Sequence, residues 1–357
     1  MEKDTVRSTD ASAHDGRRAG RARQRVVGQP DGVTIRDVAK HAGVSIATVS
    51  RALRGHQNVT EATRERVLAS VSELRFTPSR LGVSLAERRH AANGIVFPDL
   101  SGPYYAEVVL GYEQVAAELG RSVLILSTHG RDAAREMVME LAGRVDGLVV
   151  LGRTVSDDVV REIADRRTPL VLLARPAMGS IDSVNAENLD SAGVLARHLV
   201  ADGHRRLVFV GDPHSSPDIG ERWQGICTAL TEDGFANPEQ VSPPGFGEDA
   251  GSEVARRLLD AGLPDAVVCA NDELALGVLS ELRTAGVDVP HEVAVTGWDD
   301  VMAARYAGLT TVRQPMRELG ATAAQALDVR IGGDRGQARH QVLPTQLVVR
   351  ASCANHE

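Results

Sequence analysis

Cysteine is scarce in this 357-residue chain: Cys227, Cys269 and Cys353 lie far apart and form no CxxC pair. That excludes a disulfide framework, argues against a thiolate metal centre, and fits a reducing compartment in which free thiols are buried. Long apolar runs are absent too. None approaches the roughly 18 residues of a membrane-spanning helix, and the Arg-rich amino terminus lacks the apolar segment of a secretory signal, so a cytoplasmic location is expected. Catalytic signatures are equally missing. The chain has no GxxxxGK phosphate loop, no GxGxxG opening a helix, no GxSxG elbow and no HExxH pair. "HEVAV" at His291 lacks the second histidine, and the 11 histidines do not gather at ligand spacing. Neither an enzyme nor a bound metal or cofactor is expected. Aromatics are only 3% of the residues, so two or three meeting at one cleft would be a concentration rather than background.

What the chain does have is an uneven charge. Residues 1–90 carry 17 Lys and Arg against 10 Asp and Glu, whereas the other 267 carry 23 against 38. Such an asymmetry points to a module that meets a polyanion, joined to a body that does not. Residues 1–31 mix Arg17, Arg18, Arg21, Arg23 and Arg25 with small and polar residues and show no apolar periodicity, which reads as a disordered tail. From residue 32 to 76 the pattern turns helical. Thr34 and Asp37 resemble a capping box, and Ile35, Val38, Ala39 and Ala42 share one face. Gly43 supplies a turn, Ser45 caps a second helix with Val49, Ala52 and Leu53 inward, and a third helix from Thr60 presents Val67, Val71 and Leu74. After a short segment at 77–90, apolar runs at 94–97, 123–126, 147–151, 170–174, 207–210, 266–270 and 293–297 alternate with amphipathic stretches such as 105–119, 131–143, 188–202, 221–233 and 272–286. Repeated βαβ of this kind predicts an α/β body of parallel sheets flanked by helices. The units are too many for one sheet, so two lobes are expected, with a small-molecule site between them at the carboxyl ends of the strands.

A helix, a turn at Gly43 and a helix from Ser45 describe a helix-turn-helix, whose second helix enters the major groove by its first residues. Ile46, Ala47 and Arg51 then face base edges, and Ser45, Thr48 and Ser50 are placed for phosphates, with Arg54 and Asn58 extending the candidate DNA-binding set. Arg51 can donate two hydrogen bonds to guanine O6 and N7, a pairing worth about 1–3 kcal/mol of discrimination. The competing reading is a helical hairpin with a solvated Arg51. In the body, Arg222 of "ERWQGI" and Asp299 of "GWDD" both fall at carboxyl ends of strands, where a guanidinium and a carboxylate offer the donors and acceptors a sugar requires; taken singly, each reads first as a surface ion-pair residue.

"VTIRDVAKHAGVSIATVSRAL", at Val33 to Leu53, resembles the headpiece of the lactose-repressor/galactose-repressor (LacI/GalR) family of bacterial transcription regulators. The likeness continues through "VTEATRERVLASVSELRFTPSRLGVSLA", "VDGLVVLG", "HLVADGHRRLVFVG", "ERWQGI", "CANDELALGVL", "VAVTGWDD", "LTTVRQPMRELG" and "LVVRAS", from about residue 32 to the end. It implies a body of the type I periplasmic-binding-protein fold, with two lobes joined by three crossings. One lobe comprises residues 91–187 and 315–342, the other 188–314 and 343–357. It also implies a homodimer on a near-palindromic operator, and no heptad tail follows "LVVRASCANHE" to lean toward a tetramer. In the hinge at 77–90, Leu85 occupies the position of a minor-groove wedge, but Gly82 and Val83 replace the usual Ala-Arg pair. An apolar wedge unstacks a base step at a cost of a few kcal/mol that the bent interface recovers. Gly82 costs the hinge helix about 0.5–1 kcal/mol relative to Ala. Similarity assigns Arg222 and Asp299 to effector binding and makes Tyr105 and Phe246 aromatic walls, with Tyr104 a weaker candidate. Asn271 and Asp272 either touch the ligand or cap the helix that follows, Asp146 is read as structural, and Ala174 stands where many relatives hold an acid. The function so implied is a sequence-specific repressor, most simply of carbohydrate genes, whose operator affinity changes when a sugar-like effector binds. The alternatives are a corepressor-dependent regulator answering a nucleoside or purine, and a sugar-binding protein without DNA.

Overall fold

The computed structural model describes residues 33–53, 58–76, 90–129 and 131–353. They fall into two compact units, divided at Ser79. In the first unit, α1 (Ile35–Ala42), α2 (Ile46–Leu53) and α3 (Glu61–Glu73) wrap a small aliphatic core. α1 opens with the Asp37 carboxylate accepting both the amide (2.8 Å) and the hydroxyl (2.7 Å) of Thr34. It ends on Gly43, whose φ of 66° is a left-handed conformation that costs other residues energy. Val38, Ala39, Ala42, Val49, Ala52 and Val67 are buried together, joined by Val59 and Phe76, which helical spacing does not reveal. His41 Nδ1 lies 3.1 Å from Ser70 Oγ, tying α1 to α3.

The second unit holds two six-stranded sheets. One has the order β11-β5-β4-β3-β1-β2, all parallel, from β1 (Ala92–Phe97), β2 (Ser122–Ser127), β3 (Gly147–Leu151), β4 (Leu170–Leu173), β5 (Asp182–Ala186) and β11 (His340–Leu343). Its helices are α4 (Pro103–Glu118), α5 (Ala134–Ala142), α6 (Asp157–Asp165) and α12 (Met316–Ile331). The other has the order β12-β10-β9-β8-β6-β7, from β6 (Leu207–Val210), β7 (Glu239–Val241), β8 (Ala266–Cys269), β9 (Ala294–Asp299), β10 (Thr310–Arg313) and β12 (Gln346–Val348); only β12 is antiparallel. α7 (Leu189–Ala201), α8 (Pro217–Glu232), α9 (Glu248–Ala261), α10 (Asp272–Thr284) and α11 (Met302–Ala307) surround it. Every residue of β3, β4, β6 and β8 is buried, because helices cover both faces.

The chain passes between the sheets three times, after β5, after β10 and after β11. The first and third passages are joined, since Thr345 Oγ1 lies 2.9 Å from the Glu187 carbonyl and 2.7 Å from Ser191 Oγ. Asp146 is a structural anchor: it accepts from the amides of His90 (2.6 Å) and Ala91 (2.9 Å) and from Arg121 (3.2 Å). Three helix pairs meet through glycine. At Gly111 and Gly320 (α4 on α12), Gly225 (α8 on α7), and Gly251 and Gly277 (α9 on α10), a methyl group would overlap a backbone carbonyl oxygen of the facing helix or of the residue leading into it. Among the described residues no helix is long and apolar enough to cross a membrane.

Candidate functional site

The first candidate site is α2 and its entry. Ser45 Oγ accepts the Thr48 amide (3.1 Å) and lies 2.9 Å from Thr48 Oγ1, so the two hydroxyls cap the helix. Burying Val49 and Ala52 against α1 and α3 turns Ile46, Ala47 and Arg51 outward. Ile46 is 44% exposed, so its side chain is available on the outer face of α2. The Arg51 guanidinium rests on its own helix, Nε donating to the Ala47 carbonyl at 3.2 Å. Thr48 and Ser50 are half-buried, and Asn58 is exposed. Arg54, Gly82, Val83 and Leu85 lie outside the described residues.

The second is the cleft between the two sheets of the second unit. α8 follows β6 and begins at Pro217, with Ser216 Oγ accepting the Ile219 amide (3.2 Å), and this places Arg222 on its second turn, facing the carboxyl ends of the strands. Arg222 is buried. Its Nε donates to Asn188 Oδ1 (2.9 Å), its Nη1 to the Ala270 carbonyl (2.6 Å), and its guanidinium lies 4.5 Å over the Trp298 ring. Asp299 closes β9 with φ 115°, a strained backbone for a non-glycine residue, and its Oδ1 accepts from Gln314 Nε2 at 2.5 Å. Burial pushes its carboxyl well above the usual carboxylate range; Arg222 pulls the other way and Asp272 and Glu273 add to the rise. Asp218, one turn before Arg222, is raised by burial against the opposing pull of Arg222.

Tyr104 and Tyr105 stand in the first turn of α4, on the other sheet's side. Phe97 meets Tyr105 edge-on at 5.7 Å, and Tyr105 meets Tyr104 at 5.3 Å. Burial raises the Tyr104 hydroxyl strongly, with Asp218 and Asp299 adding and Arg222 opposing, so this side chain reaches into the charges of the opposite lobe. Burial pushes Tyr105 up to about 12, with Asp99, Asp299, Glu273 and Asp218 adding. A side chain at Gly102 would collide with the Glu273 carboxylate, which marks a second close approach across the cleft.

Arg222, Asp299 and Tyr105 thus converge, and Tyr104, the weaker candidate by sequence, is the more deeply engaged tyrosine. Phe246 and Asn271 form a neighbouring pair instead: Asn271 Nδ2 donates to the Phe246 carbonyl (2.9 Å), and its Oδ1 caps α10 by accepting the Leu274 amide (3.0 Å). The Phe246 ring is half exposed. Asp272 is a buried pin, accepting the Val301 amide (2.9 Å) and the Thr311 hydroxyl (2.7 Å). Sequence reading passed over Asn188, Asp218 and Gln314. Asp218 is detectable as an acid four residues before Arg222 on one helix face; Asn188 and Gln314 matter through the passages they sit on, which no local pattern marks.

Residues 34–79 match the family "Bacterial regulatory proteins, lacI family", and residues 196–353 match "Periplasmic binding protein-like domain". The HTH-type transcriptional repressor CytR of Escherichia coli (strain K12) is 30% identical over 331 residues, 91% of this chain and 97% of that protein. The chain belongs to the lacI family of bacterial regulatory proteins. The LacI-family architecture extends to solved structures. The lac repressor dimer bound to operator and the anti-inducer ONPF covers 90% of this chain and 99% of its own, at TM-score 0.81 and 29% identity. The regulator CelR in complex with cellobiose covers the same shares at TM-score 0.66 and 31% identity. This LacI-family chain is a DNA-binding transcriptional regulator with a helix-turn-helix headpiece and a periplasmic-binding-protein-like core. These relatives are regulators rather than enzymes. Just past β4 this LacI-family member has Ala174 rather than an acid, and the following Arg175 donates to the carbonyls of Gly152 (3.1 Å) and Val155 (2.9 Å) and pairs with Asp157.

Proposed function

We propose that this protein is a cytoplasmic homodimeric repressor, without catalytic activity, that binds a near-palindromic operator through α2 and is released by a neutral, polyhydroxylated effector, a sugar or close derivative, held between the lobes. One observation carries the effector assignment. Arg222 and Asp299, the donor and the acceptor in the cleft, are each bonded to a residue at a lobe passage: Arg222 to Asn188 and Asp299 to Gln314. A hydroxylated ligand competes for those same bonds, so binding is exchanged directly against the geometry of the passages. Two lobe arrangements then differ in effector affinity, and that difference sets the coupling to DNA. Asp218, Asp299 and Glu273 lie around the cleft with Arg222, carboxyl groups that burial pushes toward their neutral form beside a guanidinium, a set that offers both donors and acceptors to hydroxyls. The cellobiose named for CelR supports the same class. In the headpiece, Arg51 and Ile46 read bases while Ser45, Thr48, Ser50 and the outlying Arg54 and Asn58 meet the backbone, and Leu85 wedges the minor groove.

The test is a thermal-shift screen of the full chain against sugars, polyols and nucleosides, followed by mobility shifts on its own upstream DNA with and without each hit. A hit among the sugars that weakens a specific complex is expected. Absence of preference for any duplex over random duplex at moderate salt would refute the reading.

A further inference from the structure

We infer that His198, Asp202 and Cys353 form a site for a borderline-soft divalent cation of the zinc class, on the far side of the second lobe from the effector cleft. Among the described residues they are the group of His, Cys, Asp and Glu side chains whose ligand atoms all fall within 4.8 Å of one another. His198 sits in the last turn of α7 and Asp202 caps that helix four residues on, so both project from one face. Cys353 arrives from the end of the chain, 155 residues away from His198, which is why no spacing rule finds the site. His198 Nε2 lies 3.3 Å from Cys353 Sγ and 3.4 Å from Asp202 Oδ2. Ligands held at about 2.0–2.3 Å around a tetrahedral ion stand roughly 3.3–3.8 Å from one another. The two separations already have that value.

Three further features fit a cation. Asp202 Oδ2 is shielded from solvent and makes no hydrogen bond; it faces the His198 ring nitrogen at 3.4 Å, a contact that is an ion pair only when the ring is protonated. The donor set of one imidazole, one carboxylate and one sulfur suits zinc or cobalt and not magnesium or calcium, which take oxygen alone. Cys353 is fully buried while the side chains of His198 and Asp202 are 21% and 26% exposed, so the site is closed on the protein side and open where an ion and a fourth, water ligand enter. Binding is a simple exchange: the sulfur–metal bond forms as the thiol proton leaves to solvent. Thr310 Oγ1, 3.1 Å from the sulfur, opens β10, so the ion would fasten the end of α7 and the chain's last described residues beside that strand. The location is at the amino ends of the strands, opposite Arg222 and Asp299.

The experiment uses the full chain, stripped with a chelator and titrated with Co2+, read by sulfur-to-cobalt charge-transfer absorption, and with Zn2+, read by equilibrium dialysis and thermal shift. One equivalent of Co2+ with the charge-transfer band is expected, together with one Zn2+ that raises the melting midpoint. The band should vanish in Cys353→Ser and persist in Cys227→Ser. If Cys353→Ser does not fold, Asp202→Asn decides: its Co2+ affinity should fall about ten- to a hundredfold, in keeping with the loss of a ligand or its close support. A protein that takes up less than a stoichiometric ion, a band that survives Cys353→Ser, or an Asp202→Asn variant with unchanged affinity would each overturn the site and leave a plain Cys–His hydrogen bond. None of these outcomes bears on the effector cleft, which is read separately by DNA release.

Discussion

Under the proposed function, Arg222 is the side chain that separates sensing from DNA binding. Its guanidinium is fixed by Asn188, the Ala270 carbonyl and the Trp298 ring, all in the core. Arg222→Ala removes the cleft's donor and leaves the headpiece untouched, so the effector response should disappear while operator affinity stays within about threefold, below the roughly tenfold that 1.4 kcal/mol represents. Normal induction in that variant, measured by mobility shift against effector concentration, would take Arg222 out of the pocket. Lysine should not rescue it, because a single ammonium cannot hold two acceptors and stack on an indole together. Arg51 is the reverse case. Its Nε–Ala47 contact is all the helix asks of it, which leaves the rest of the fork for a base. Arg51→Ala should lose about 1–3 kcal/mol of discrimination at one base position per half-site. Binding-site selection on randomised half-sites measures this, and an unchanged preference would assign Arg51 to phosphate or solvent.

At the scale of elements, legibility followed burial chemistry. β1, β2, β3, β4, β6, β8 and β9 announced themselves by apolar runs, and in β3, β4, β6 and β8 the run fills the strand because helices cover both faces. β5, "DSVNA", did not: its Asp182 is buried but satisfied by Arg330 Nε (2.7 Å) and the Arg339 amide (2.8 Å). β10 likewise hides behind Thr310 and Thr311, whose hydroxyls pair with Arg350 and Asp272. β7, β11 and β12 are short edge strands with a solvated side and no clear alternation. In the cleft, Arg222 and Asp299 were legible from their place at strand ends; Asn188 and Gln314 were not, because only the assembled passages make them neighbours of those residues. The glycines at helix crossings are the other illegible element, since a helix interior normally disfavours glycine. Gly277→Ala drives a methyl into the Glu248 carbonyl and should cost the fold about 1–3 kcal/mol, the usual range for overpacking. Gly143, at φ −77° with nothing closer than 3.4 Å, is the contrast, and alanine there should be neutral or stabilise by up to about 1 kcal/mol. Denaturant midpoints of the two variants compare them directly, and equal effects would discard the close-crossing argument.

For the molecule as a whole, the buried carboxyls set opposing responses to pH. Burial pushes Asp272 up from 3.8 to about 7; hydrogen bonds from Thr311 and the Val301 amide oppose this, and Glu273 and Asp300 reinforce it. A carboxyl raised in the folded state binds its proton there while the unfolded chain has released it, so its contribution is greatest below about pH 4 and is lost as pH rises toward 7. Asp300 does the opposite. It too is desolvated, but Arg313 (2.6 Å) and Arg350 (2.6 Å) hold it below the ordinary value, so its stabilisation is present above that value and lost on acidification. The summed profile of the native protein therefore hides each component, and the informative quantity is a difference between variants. The two tryptophans, Trp223 and Trp298, both lie in the second lobe, so their fluorescence follows the unfolding of the unit that contains Asp272. Asp272→Asn removes the titration while keeping a side chain of the same shape. The stability of the native protein relative to this variant should fall as pH is raised from about 4 to about 7 and then level off. A relative stability that stays flat over that window would mean that Asp272 is ionised in the fold throughout it, held by the Val301 amide and the Thr311 hydroxyl more strongly than burial opposes.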